Sequence, residues 1–248
     1  METLSYKEPL VVKVSYTPST VPLFRWLSRR PGKWGLSRLK CLPHRPNWKS
    51  RLRDAIPPSW LGIRYADFAL CAGTEAEKHP LIGPSTTILR TCSPDVFRLD
   101  GMTPISRSNF AVFLDEEIDK PHADYKILGS TPPDAQHYHA EMKAIFKDVG
   151  MPVNIARPSS DTAFLIAHSS LVIAHSSTAI GMAVLLRKPI KLVIPHCLIG
   201  RPEQRHIEAM GDALERGRED YITRYLGTPE AMKERKRPEA VLEAYLHA

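Results

Sequence analysis

The residues with the clearest chemistry lie in LVIAHSSTAIGMAVLLRKPIKLVIP (Leu171–Pro195), where an apolar run leads into Ser176-Ser177-Thr178 and then into small residues. Read as strand, turn and helix, this run leaves the first helical N–H groups without intrahelical partners, at the positive end of the helix dipole. A phosphate accepts such donors, and Ser176, Ser177 and Thr178 add hydroxyls to them. Ala179 and Gly181 keep the helix slim, so a ligand can approach closely. A plainer reading stays open, in which Ser176 or Ser177 is only an N-cap and the small residues only pack helix on sheet.

Other groups could share that chemistry. Asp115, Glu116 and Glu117 follow the apolar run Phe110–Leu114, at the strand end where open α/β sheets place ligands. A carboxylate there can act as a general base or hold a sugar hydroxyl. Asp115 and Glu116 are therefore the candidate catalytic residues, with a solvated acidic turn as the alternative. Arg157 ends the next strand, and its planar fork matches phosphate; a surface ion pair is the other reading. His122 could orient substrate. His175 could donate to a diphosphate or sugar, or be a buried, hydrogen-bonded strand-end histidine. His137 and His139 stand two apart and point to different helix faces, so no metal site is expected. No GxGxxG, Walker loop or nucleophile elbow is present, and no cofactor is expected.

The elements that must position these groups alternate along the chain. Leu10–Tyr16 alternates apolar and polar residues and predicts a strand. Ala66–Gly73 and Thr86–Thr91 predict short buried strands, and Phe110–Leu114 another. Ser130-Thr131-Pro132-Pro133-Asp134 opens a helix running to about Val149, with Gly150 as its stop. A strand follows from Pro152 to Ala156, then a helix over Asp161–His168, a strand over Leu171–Ala174, a helix over Thr178–Arg187 and a strand over Lys191–Ile194. The charged tail predicts helices at Glu203–Arg216 and Pro229–His247. Strands alternating with helices imply parallel βαβ units, hence an α/β fold.

Charge divides the chain unevenly. Residues 1–60 carry 12 Lys/Arg and 3 Asp/Glu, a balance of +9 within a net charge of +7, so the rest of the chain is slightly acidic. From Val21 to Trp48 the basic residues interleave with Phe24, Trp26 and Trp34, and short helical pieces broken by Pro31-Gly32 are expected, with too few apolar residues for a core. Such a pattern, taken over residues 20–53, suits an anionic membrane surface. It could also bind nucleic acid non-specifically, but no nucleic-acid motif accompanies it and no specific nucleic acid is expected. The four cysteines follow no ligand or disulfide spacing. No apolar run approaches the roughly 20 residues that span a bilayer, and the N-terminus lacks the pattern of a signal peptide. A cytoplasmic protein, peripheral at the inner face of the membrane, is the expectation.

Several segments together resemble a known family. Leu171–Pro195 is similar to the "AHSSTA…GKPI" stretch of bacterial surface carbohydrate (polysaccharide) biosynthesis proteins, which are GT-B-like glycosyltransferases. Val12–Leu27 (VKVSYTPSTVPLFRWL), Tyr65–Gly73, Asn109–Asp124 (NFAVFLDEEIDKPHAD) and Val153–Ser159 (VNIARPS) resemble further family segments in the same order. The resemblance implies the C-terminal half of a GT-B-like fold, a Rossmann-like parallel sheet flanked by helices, that binds a nucleotide-sugar donor. Donor contacts would fall on Arg157, His175, Ser176, Ser177 and Thr178, and His122 would sit in the family's "HPD" position.

The sequence also departs from that family. Family members carry a complete Rossmann-like domain before the position of Leu10, and the family's histidine before Arg157-Pro158 is absent. The expected organisation is a basic remnant of the N-terminal domain over residues 1–60, a nucleotide-sugar domain over 61–228 and a charged helix over 229–248. A missing N-terminal domain or a partner subunit is therefore the expected complement. The functional expectation is a glycosyltransferase-like protein of surface polysaccharide synthesis, incomplete as an enzyme. The alternatives are a non-catalytic remnant or accessory subunit, and a basic membrane or nucleic-acid adaptor.

Overall fold

A computed structural model describes residues 9–43, 55–104, 108–121, 130–157 and 161–247. Among these residues the chain forms an α/β protein with two four-stranded, all-parallel sheets. It divides into two compact units, Met1–Cys41 with Pro46–Pro94 and Ile222–Ala248, and Leu42–Arg45 with Asp95–Tyr221. This division cuts across the organisation expected from charge. Residues 61–94 belong with the first sheet, and the chain returns to that unit after Tyr221.

The first sheet has strands in chain order: β1 (Leu10–Val12), β2 (Trp34–Arg38), β3 (Phe68–Ala72) and β4 (Thr87–Thr91). Strand β1 is shorter than its pattern predicts. Beyond Val12 the chain carries Tyr16 inward, edge-on to Phe24 with ring centroids 5.6 Å apart. A capping turn then begins, in which the Thr20 hydroxyl donates to the Ser15 carbonyl at 2.9 Å. Helix α1 (Val21–Arg29) has Pro22 in its first turn, buries Phe24 and Leu27, and stops where Arg30 turns extended before Pro31.

Strand β2 corrects the expectation of a coreless basic segment. Trp34 and Leu36 are fully buried, while Lys33 precedes the strand and Arg38 ends it. The Trp34 N–H donates to Asp67 Oδ2 at 2.7 Å, and Arg64 pairs with Asp67 at 2.6 Å. Strand β3 lies between two neighbours and is buried throughout, as an interior parallel strand must be. Strand β4 is an edge strand with Thr87 and Arg90 exposed, not the buried strand its composition suggests.

The returning tail completes this unit. The expected single helix over 229–248 is two: α8 (Pro229–Glu234) ends at the left-handed Arg235, and α9 (Pro238–Leu246) starts on a proline. Backbone N–H groups of Cys92 and Ser93 donate to the carbonyls of Lys236 and Leu226, which ties the tail to the end of β4. Gly73, after β3, has φ +77 and ψ 164, a region open essentially to glycine alone. A Cβ there would sit 2.3 Å from the Arg224 carbonyl oxygen, and Arg224 in turn donates from Nε to Glu75 at 2.8 Å.

The second sheet has the order β6-β5-β7-β8, with β5 (Ala111–Leu114), β6 (Val153–Ala156), β7 (Leu171–Ala174) and β8 (Ile190–Leu192). Between the sheets in the chain is the short helix α2 (Pro94–Arg98). Helix α3 (Ala135–Asp148) starts on Asp134, whose carboxylate accepts from the His137 N–H, rather than on Ser130. Helices α4 (Thr162–His168), α5 (Ile180–Leu185), α6 (Pro202–Glu215) and α7 (Arg218–Tyr221) follow. One face of the sheet, with Ala111, Phe113, Ile173 and Val193, packs on Tyr138 and Met142 of α3 and Ile207 of α6. Val112, Leu114, Val172 and Ala174 point the other way, to the face where α4 contacts β5 and β6 and meets α5.

The close approach at Gly73 yields a stability prediction. Gly73→Ala should cost at least about 2 kcal/mol more than Gly62→Ala, because Gly62 has φ +68 but open space around it. Urea unfolding followed by tryptophan fluorescence checks this, since Trp26, Trp34 and Trp60 all lie in the first unit. Equal costs would remove the contact with Arg224 as the reason for a glycine at 73.

Candidate functional site

The order β6-β5-β7-β8 is that of a doubly wound sheet, with a switch point between β5 and β7. There the connection after β5 leads to α3 on one face, and the connection after β7 leads to α5 on the other. Ligands of open parallel sheets bind outside the carboxyl ends of the strands at such a point. The register pairs Leu114 with both Ala156 and Ala174, and Ala174 with Leu192. The next residue of each strand, Asp115, Arg157, His175 and Val193, therefore emerges along one edge. Asp115 N–H still donates to the Ala156 carbonyl at 2.9 Å, and Val193 N–H to that of Ala174 at 3.0 Å.

Asp115 and Arg157 meet at this edge, with Arg157 Nε 3.6 Å from Asp115 Oδ2. The carboxylate side chain is 14% exposed and the guanidinium side chain 59%. Asp115 Oδ1 accepts from the Glu117 N–H at 2.9 Å, which folds the acidic run back on itself. Glu117 takes a left-handed conformation there, with φ 51, and pairs with Lys120. That hydrogen bond from Lys120 holds the Glu117 carboxyl below its usual range. Glu116 is exposed. The acidic run is thus a local turn in which Asp115 faces its neighbouring strand and Glu116 faces water.

His175 is placed differently from a ligand-contacting histidine. It is 1% exposed. Its Nδ1 donates to the Val193 carbonyl at 2.8 Å, so its Nε2 is the acceptor for the Tyr138 hydroxyl at 3.0 Å. Phe113 stands edge-on to the ring at 5.4 Å. Desolvation lowers the His175 pKa and keeps the ring neutral, against the opposing pull of the Val193 carbonyl and Asp115. Of the two readings of His175, the geometry has the buried one. Tyr138, which sequence reasoning did not single out, is its partner 37 positions away, with no local pattern to reveal it.

The hydroxyl turn is also reshaped. Ser177 is buried and its Oγ accepts from the Ala179 N–H at 3.1 Å, so it holds the turn. Helix α5 begins after Ala179, without a side-chain cap, and is six residues long. It ends early because Arg187 turns left-handed, with φ 55. The turn therefore precedes a short helix rather than capping a long one, and Ser176 (half-buried) and Thr178 (exposed) are the hydroxyls nearer solvent. His122, and Asp124 beside it, lie outside the described residues.

Other reactive groups are engaged elsewhere. His137 pairs with Glu141 at 2.6 Å and His139 with Asp119 at 3.1 Å. Burial, helped by the neighbouring Glu141, pushes the Cys197 thiol up to about 11, so it stays protonated at neutral pH and is a poor nucleophile. Among the described residues, no group of three or more His, Cys, Asp or Glu is placed to hold a metal ion. No helix of the described residues is long and apolar enough to cross a membrane.

Fold and edge together define a class, an α/β protein whose second parallel sheet is doubly wound, with a charged pair between the carboxyl ends of β5 and β6. No family model matches the chain, and no curated protein matches it.

The state of His175 predicts a pH dependence. In the unfolded chain the imidazole takes up a proton below about pH 6.5, whereas in the folded protein it stays neutral to lower pH. Its contribution to stability is full above that ordinary value and is lost as pH falls through the lowered, folded one. Urea unfolding followed by circular dichroism should show a steeper loss of stability on acidification in the wild type than in His175→Gln, and equal slopes would contradict this state of the ring. Tyr138→Phe should cost about 1 kcal/mol at neutral pH by leaving Nε2 without its donor.

Proposed function

We propose that the second unit binds the anionic part of a nucleotide-activated sugar at the carboxyl edge of its sheet, and that the protein is a glycosyltransferase-like component of surface polysaccharide synthesis. The observation that carries this reading is the placement of Asp115, Arg157 and the Ser176–Thr178 turn along one carboxyl edge, at the ends of β5 and of its two neighbours β6 and β7. Two parallel-sheet units, with residues 222–248 returning to the first, support the GT-B-like part of the reading beside the resemblance in sequence. On this reading Arg157 takes the phosphate, since a guanidinium offers two parallel donors to it. Ser176 and Thr178 add hydroxyls, and Asp115 or Glu116 receives a sugar hydroxyl or its proton. Positive charge on Arg157 would stabilise the departing nucleotide phosphate.

A second reading, donor binding without turnover, is favoured by one feature. Asp115 Oδ1 is occupied by the Glu117 N–H and Oδ2 faces Arg157, which leaves less of the carboxylate open to a substrate hydroxyl. Calorimetry with UDP-, GDP- and CMP-sugars tests binding, and transfer or hydrolysis of the bound donor separates the two readings. One of the three nucleotide-sugars should bind, and Arg157→Ala should weaken it by about tenfold or more. Silence with all three would overturn both readings.

A further inference from the structure

We propose that the outer face of α1, with the turn Pro58–Leu61 beside it, is a docking surface for an anionic lipid bilayer. Trp26 is 51% exposed and Trp60 80%, and both lie in the first unit. Helix α1 turns Phe24 and Leu27 inward and leaves Arg25, Trp26 and Arg29 exposed. The turn is fastened along the same helix. Arg25 Nε donates to the Leu61 carbonyl at 2.5 Å, and the Arg64 N–H donates to Ser28 Oγ at 2.9 Å. Both indoles are therefore carried by one hydrogen-bonded piece rather than by separate loops.

Chemistry selects the occupant. An indole is amphipathic and settles at the boundary between headgroups and acyl chains, while arginines beside it meet anionic headgroups. No acidic residue occurs between Pro9 and Arg53, and Asp67, which follows the turn, is engaged by Arg64 and by the Trp34 N–H. The patch is thus cationic and apolar with no opposing charge from α1. A single-stranded nucleic acid would stack its bases on aromatics along a charged groove, whereas these indoles stand on the outer face of a helix and on a neighbouring turn. The inference does not depend on donor binding at the second sheet.

Co-sedimentation of the full chain with vesicles tests it. The protein should pellet with mixed phosphatidylglycerol–phosphatidylcholine vesicles and stay in solution with pure phosphatidylcholine, and its tryptophan emission should shift to the blue on binding. The double variant Trp26→Ala/Trp60→Ala should bind at least about tenfold more weakly, and Arg29→Gln about fivefold. Unchanged circular dichroism and urea midpoint would show that these surface variants are folded. Equal binding to both vesicle types, no binding to either, or undiminished binding by the folded double variant would overturn the proposal. Tighter binding to a DNA oligonucleotide than to anionic vesicles would overturn it in favour of a nucleic-acid surface.

Discussion

Parallel pairing is the constraint on which the rest of the second unit depends. When all four strands run the same way, their carboxyl ends must share one edge, and each return to the start of the next strand needs a crossover over a face. The register Leu114–Ala156, Leu114–Ala174 and Ala174–Leu192 then fixes which residues leave the sheet together. The edge is held from within by His175. Its ring spans from the carbonyl of Val193, beyond β8, to the hydroxyl of Tyr138 on α3, joining two strand ends and a helix through one buried, neutral side chain. A charged imidazole at that place would be strongly disfavoured by desolvation, so the same burial that sets its proton state also holds the loop that follows.

Much of this order was legible because local pattern and tertiary demand agree. Leu171–Ala174 is a strand of the expected extent, and Asp161 caps α4 as its position suggests. The failures have local causes. Pro132 and Pro133 carry no N–H and disfavour helix in the residue before each, so α3 waits for Asp134 to supply an acceptor. In the basic segment, an average over charge concealed single buried positions. Lys33 and Arg38 flank the buried Trp34, Gly35 and Leu36, and a buried run of three residues is too brief to stand out among arginines. What decides the strand is distant: Asp67 receives the Trp34 N–H, and the ring of Phe68 lies over Gly35, where any Cβ would meet it at 2.3 Å.

The site was legible as residue types and much less as partnerships. Strand-end positions for Asp115, Arg157 and Ser176–Thr178 follow from placing the strands correctly. Which groups face a ligand and which face the protein does not. Asp115 and Arg157 are 42 positions apart and meet only through the β5–β6 register, while His175 and Tyr138 meet only because α3 packs over β7. A hydroxyl run read as three equivalent donors becomes one holding residue, Ser177, and two residues nearer solvent. The same limit hid the share of the Trp60 turn in the first unit's surface, since Arg25 and Leu61 are joined across 36 positions.

The two halves of the Asp115–Arg157 pair are unequal, and that inequality bears on how the edge could accept an anion. At 3.6 Å with a mostly solvated guanidinium, the pair resembles an exposed ion pair, worth about 0–1 kcal/mol. A buried pair would resist exchange, because removing one partner leaves a desolvated charge behind. Here Asp115 keeps a second partner in the Glu117 N–H, so its charge stays satisfied when Arg157 moves. A phosphate offers Arg157 two parallel, charge-assisted bonds, against a contact of 3.6 Å with Asp115. On the proposed reading, Arg157 is the mobile member and Asp115 the fixed one, and exchange between carboxylate and phosphate costs little at this edge.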